Sequence, residues 1–280
     1  MLLFGREACS RLREWEDRVM RYLRLIMYLW RYSLMREMTY AKNFIFLMLV
    51  QIGWFAVQML TIEIIFSHTT TLVGWSKYEA LALVAIFSMV IGILRLLFET
   101  SFTQFCADVR DGSFDFYLAR PCDPRFFLSF RRLTLENVGV VAFNVGLLLV
   151  LAVRGMIHVT FSSVLGFFML LVPAFVIGYC LWFMLTLFIF WSPAIEQFNY
   201  LYVTVLTALR YPLDIYGETV RRLLLTLFPI GFLATIPAEF LLGMGTWQGV
   251  VLSFLIASIV FVSARVWWRF AVRHYASASS

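Results

Sequence analysis

The sequence predicts an all-α polytopic membrane protein with six transmembrane helices, and three observations carry that prediction. Mean hydropathy is +0.84 and only 14% of the residues are charged, against about 25% in soluble domains. One soluble core could not bury that much apolar surface. Apolar runs of about 18 residues or more recur along the 280-residue chain, each long enough to cross a hydrocarbon core of about 30 Å as a helix. The short alternating segments that a closed barrel needs are not seen.

Residues 1–42 precede the first apolar run. Within them Leu12, Trp15, Val19, Tyr22, Ile26 and Trp30 recur every three or four residues, while Arg11, Arg18, Arg21 and Arg24 lie largely off that stripe. This pattern predicts an amphipathic elbow helix in the membrane interface, which fixes orientation or also abuts a cytoplasmic partner. No short apolar segment with a small-residue cleavage site precedes the first span, so insertion through that span is expected.

The transmembrane domain occupies residues 43–270. Its first span runs from Asn43 to Phe66 and its second from about Glu79 to Phe98, joined by "SHTTTLVGWSKY". A polar interruption, residues 100–134, separates the second span from a third, Leu135 to Val153. The fourth, Phe161 to Phe190, contains Pro173 and Gly178, which a membrane helix tolerates as a kink. A fifth covers about Phe198 to Leu213 and the last Thr246 to about Trp268, with residues 271–280 as a cytoplasmic tail. Leu223 to Leu242 is apolar enough for a further span, yet Pro229, Gly231 and Pro237 break its hydrogen-bond ladder and Glu239 is charged. Two short broken helices dipping into the membrane fit residues 217–243 better.

Charge decides between six and seven crossings. Arg6, Arg11, Arg13, Arg18, Arg21, Arg24, Arg31, Arg36 and Lys42 precede the first span, which places the N-terminus in the cytoplasm. Six crossings return Arg265, Arg269 and Arg273 to the same side and put Arg110, Arg120, Arg125, Arg131 and Arg132 there too. The net charge of +6 is thereby mostly topology. The arginines border spans and no soluble domain carries them, so nucleic acid is not an expected partner. Cys9, Cys106, Cys122 and Cys180 show no C-x-x-C spacing and are expected to be free thiols.

The one sizeable cytoplasmic loop contains "RDGSFDFYLARP", Arg110 to Pro121. Asp108, Arg110 and Asp111 suit a short helix surface, Gly112 a sharp turn, and Phe114, Phe116, Tyr117 and Leu118 an apolar docking face. Pro121 and Pro124 stiffen its end. Within or beside the spans, Arg95 with Glu99 and Arg210 with Asp214 stand four apart and can pair on one helix face, which offsets the cost of placing charge near lipid. Glu63 lies near the outer end of the first span.

"RDGSFDFYLARPCDP" resembles the G-x-x-D-x-x-L-x-R-P loop of a bacterial branch of the ABC-2 type exporter permeases, through Gly112, Asp115, Leu118, Arg120 and Pro121. "RYPLDIYGETVRRLLLTLFPIGFLATIPAEFLLG" is similar to that branch's Tyr-Pro turn and Pro-broken re-entrant segment. The terminal "RHYASASS" resembles its Arg-x-Tyr-x-Ser-x-Ser end, through Arg273, Tyr275, Ser277 and Ser279. The resemblance implies six spans, an elbow helix and outer re-entrant helices, with Pro229, Gly231, Pro237 and Glu239 falling in the outer gate. It also implies two copies of a cytoplasmic ABC ATPase, carrying ATP and Mg, docked on the loop after the second span. A second permease, identical or paralogous, completes the dimer, in a bacterial inner membrane.

This chain has no P-loop, since its only lysines, Lys42 and Lys77, follow Ala41 and Ser76 rather than a glycine-rich turn. It is therefore not expected to be an enzyme or to bind a cofactor. His68, His158 and His274 are far apart, and no metal site is expected. The scarcity of polar groups in the spans suits a hydrophobic or lipid-like cargo, with drugs, glycans and peptides as other classes. A secondary transporter or a membrane scaffold without an ATPase is the competing reading. The first would show internal repeats and a midplane ionisable site, the second a cluster of His, Asp or Ser, and neither is visible.

Overall fold

In the computed structural model the described residues are 20, 22, 24–35, 41–119, 123–192, 202, 204, 206, 210–226 and 228–275, excepting the side chains of 41–44, 52 and 214. They are mostly helical, and among them the one β feature is an isolated bridge between Leu72 and Trp75. Among the described residues, four helices are long and apolar enough to cross a membrane, or five if one bent pair counts as a single span. Four of the predicted spans correspond to these four helices.

The first, α1, runs Ala41–His68. It stands at the edge of the bundle, with Ile45, Leu49, Trp54, Leu60 and Ile64 exposed on it and Ile62 buried. Its contact with the rest includes Phe55, whose ring centre lies 3.9 Å from that of Phe143.

The second span departs from its predicted boundary. Helix α2, Lys77–Leu94, passes through a π turn at Arg95–Glu99 into α3, Thr100–Arg110, as one continuous 34-residue rod. At 1.5 Å per residue it is about 50 Å long, some 20 Å more than a hydrocarbon core requires. Residues 100–110 look like a loop in the sequence because half of them are polar. They are an amphipathic helix, with Phe102, Phe105, Cys106 and Val109 buried and Thr103 and Arg110 outside.

After the cap described below, α6 covers Asn137–Val153, 17 residues and thus at the short end for a span. Helix α7, Phe161–Thr186, continues as a 3-10 turn through Phe190, with Thr160 as its N-cap and Pro173 inside. The predicted fifth span falls mostly outside the described residues. Of it, Tyr202 and Leu206 are buried, and the Tyr202 hydroxyl donates to the Gly178 carbonyl of α7 at 2.9 Å.

Helices α8, Glu218–Thr226, and α9, Gly231–Leu241, are bent by 104° at the Pro229 break, and Pro237 lies inside α9. Helix α9 packs on α7 and α2. A Cβ on Gly166 of α7 would run into the Phe240 ring, and one on Gly178 would meet Leu94 at 2.5 Å. Small residues at these two positions are what lets the helices approach. The last helix, α10, is Trp247–Arg273. Its buried stripe, Val250, Ser253, Ala257, Val260, Ala264, Trp268 and Ala271, recurs every three or four residues along the side packed on α7, with Ile256, Trp267 and Val272 partly buried beside it and most of its other apolar side chains exposed.

Candidate coupling cap and membrane cavity

The polar interruption folds into a cap. Helix α3 ends where the Asp111 amide donates to the Ala107 carbonyl at 2.9 Å, and Gly112, at φ +73°, turns the chain in a conformation that favours glycine. Two short helices follow, α4 at Phe114–Leu118 and α5 at Pro124–Phe130. Asp123 caps α5 by accepting from the Arg125 amide at 3.0 Å, and its carboxylate takes both arms of the Arg125 guanidinium at 3.0 and 2.6 Å. Burial opposes ionisation of Asp123, but the Arg125 hydrogen bonds and charge outweigh it and hold the carboxyl below its usual range.

Residues 131–134 then return alongside α3. Ser101 Oγ donates to the Arg132 carbonyl and accepts from the Arg132 amide, both at 3.1 Å, and the Thr100 and Thr134 hydroxyls are 2.7 Å apart. Beneath this seam lies a buried ion pair. Arg131 Nη1 donates to Asp108 Oδ2 at 2.6 Å, with side chains 6% and 8% exposed, and also to the Tyr117 hydroxyl at 3.1 Å. Gln104 donates to the other Asp108 oxygen at 3.2 Å, whereas Arg131 Nε and Nη2 are buried without a hydrogen-bond partner among the described residues.

The cap is also tied to its surroundings. Ser129 and Tyr179 of α7 bring their hydroxyls to 2.8 Å. From the N-terminal segment, helical over 24–35, Ser33 Oγ accepts from the Leu133 amide at 3.3 Å. Tyr22 places its ring edge-on to Phe126, 4.5 Å between centres. The predicted elbow stripe at Leu12, Trp15 and Val19 lies outside the described residues.

The predicted docking residues divide. Arg110, Asp111 and Leu118 are exposed at the tip, Asp115 is half-buried, and Arg120 and Pro121 lie outside the described residues. Phe114 does not belong to an exposed face: it is 0% exposed, while Phe116 beside it is 73% exposed. Asp108 is likewise no helix-surface charge, because Arg131 holds it inside. Sequence reasoning missed that pair, since the two residues are 23 positions apart and no spacing rule joins them.

Arg95 and Glu99 pair as expected, Nε to Oε2 at 3.0 Å and Nη2 to Oε1 at 2.9 Å, on the π turn itself. The expected partner of Arg210, Asp214, has its side chain outside the described residues. Arg210 joins Arg95 and Glu99 on the wall of a cavity of about 610 Å³ between α1, α2 and α6. Gln51, Gln58, Ser88 and Trp54 contribute to its mixed polar and apolar lining, with Ser88 Oγ donating to Gln58 Oε1 at 3.3 Å. Another pair the sequence did not announce is Glu63 with Lys77 at 2.6 Å, between the end of α1 and the start of α2. In the bent pair, Pro229, Gly231 and Pro237 are buried and Glu239 is partly so. The Glu239 carbonyl closes α9 by accepting from the Met244 and Gly245 amides at 2.8 and 2.9 Å.

The family model described as "ABC-2 family transporter protein" matches residues 52–279, most of the chain. Neither the curated proteins nor the solved structures give a significant match.

Proposed function

The chain belongs to the ABC-2 transporter family, and we propose that it is the membrane-spanning permease subunit of an ATP-driven exporter in a bacterial inner membrane. It has six crossings, both termini in the cytoplasm, an elbow helix and an outer re-entrant pair at residues 217–243. Two copies of a separate ABC ATPase dock on the cap, and a second permease, identical or paralogous, completes the pathway.

The observation that carries this reading is the cap. A 34-residue helix is about 20 Å longer than a hydrocarbon core requires, and the chain after it folds back alongside and is fastened to α7 through Ser129. Its exposed tip offers Arg110, Asp111, Phe116 and Leu118. An apolar side chain ringed by charge, on a stiff lever, suits a soluble partner that pushes. ATP binding closes the ATPases, the tip moves with them, and the spans rearrange to pass cargo outward. Extraction of a C-terminally tagged chain in mild detergent should recover a Walker-A ATPase. Recovery of none, with or without a trapped ATP analogue, would turn the reading toward a scaffold or a secondary transporter.

The cavity of about 610 Å³, with a paired and neutralised arginine beside tryptophan and glutamine, suits an amphipathic, lipid-like cargo. Changing Glu99 to Gln leaves Arg95 without its counter-charge. Movement of a fluorescent phospholipid by reconstituted vesicles is expected to fall at least about fivefold while the ATPase remains bound. Undiminished movement would take the cavity out of the pathway.

A further inference from the structure

Phe114 is the first residue of α4, directly after the Gly112 turn, and it is fully buried. Four rings from three stretches of the chain enclose it. Phe105 of α3 lies 5.4 Å away between centres, Phe190 at the end of the α7 rod 5.5 Å, Trp268 of α10 6.5 Å, and Tyr275 beyond α10 5.0 Å. The Tyr275 ring meets Phe114 edge-on at 85° and also sits 5.2 Å from Phe190. Trp268 in turn stacks on Phe183 of α7 at 5.6 Å. Rings in edge-to-face contact have directional preferences that slack aliphatic packing lacks.

Two stretches more than 150 positions apart, the loop and the C-terminal end, therefore meet at one point. Tyr275 follows the last helical turn, its amide donating to the Val272 carbonyl at 3.3 Å. Its ring lies against Phe114 and Phe190 and its hydroxyl is buried. Burial raises the pKa of that hydroxyl, and the Asp115 carboxylate beside it raises it further.

We propose that Tyr275 is a positioning residue for transport: its ring is the strut through which displacement of the cap tip reaches α10. This rests on the permease reading above. Without the strut the tip still docks the ATPase, because Phe116, Arg110 and Asp111 are exposed. What is lost is the transfer of its motion to the last span. The ring carries the role, so the hydroxyl is dispensable.

The test uses the complete complex with its ATPase in nanodiscs. Spin labels are attached at exposed Leu60 of α1 and exposed Val262 of α10, after Cys9 and Cys122 are changed to Ser; Cys106 and Cys180 are buried. In the unaltered chain, trapping ATP with vanadate is expected to shift the distance between the labels. Tyr275→Ala should abolish that shift while the ATPase co-purifies in unchanged ratio, and Tyr275→Phe should restore it. A Tyr275→Ala protein that shifts like the unaltered chain, a Tyr275→Phe protein that does not shift, or an unaltered chain that stays still each overturns the strut. Failure of the permease reading itself is a different result, namely that no ATPase accompanies the unaltered chain.

Discussion

Asp108→Ala is expected to be among the most destabilising single changes in this chain, at about 3–5 kcal/mol, because it leaves the Arg131 guanidinium buried with no counter-charge. What remains to Arg131 is the neutral Tyr117 hydroxyl at 3.1 Å, which supplies no counter-charge, and among the described residues its Nε and Nη2 already lack partners. The loss is measurable as a lowered thermal midpoint of the detergent-purified protein. A paired change, Asp108→Leu with Arg131→Met, removes both charges and fills the space with apolar side chains. It should recover most of the stability, since a buried ion pair rarely outperforms an apolar replacement of similar volume. If the single change is tolerated and the paired one is not, the pair is not what holds residues 131–134 against α3.

Gly166→Leu is expected to have the next largest effect. The Phe240 ring occupies the space that the first side-chain carbon would need, and Phe240 is itself buried with Leu170 and Val250. Either the ring leaves its site or α9 moves away from α7, at a cost of about 1–3 kcal/mol for overpacking and more if the helices part. The readout is again the thermal midpoint. Combining it with Phe240→Ala should relieve the clash, so the double variant should be more stable than Gly166→Leu alone. A Gly166→Leu protein with unchanged stability would mean that α7 and α9 are not in this contact.

The parts of the fold that were legible in the sequence are those with a single dominant period. The long apolar runs of α2, α7 and α10 needed no long-range information, because lipid-facing and packed surfaces are both apolar and their length alone identifies them. Gly112 was legible for a local reason, since a charged helix end followed by glycine predicts a turn. The extension of the second span was not, because Thr100–Arg110 mixes buried Phe102, Phe105 and Val109 with polar neighbours, and hydropathy averages such a helix to nothing. Phe114 was misplaced for a related reason. Next to Phe116 and Tyr117 it reads as one more apolar loop residue, and only its partners at positions 105, 190, 268 and 275 distinguish it. The Arg95–Glu99 pair was visible at helical spacing, whereas the cavity it faces is lined from α1, α2 and α6 and depends on how they pack.

The central claim, that the cap tip is the surface an ATPase pushes on, is tested most directly by placing a photo-crosslinking amino acid at Phe116 in the tagged chain and irradiating native membranes. The account predicts a nucleotide-sensitive crosslink to a Walker-A protein, absent when the same amino acid is placed at exposed Val153 at the other end of α6. Crosslinking at Phe116 to lipid alone, with an ATPase still co-purifying, would contradict it and move the docking surface elsewhere on the chain.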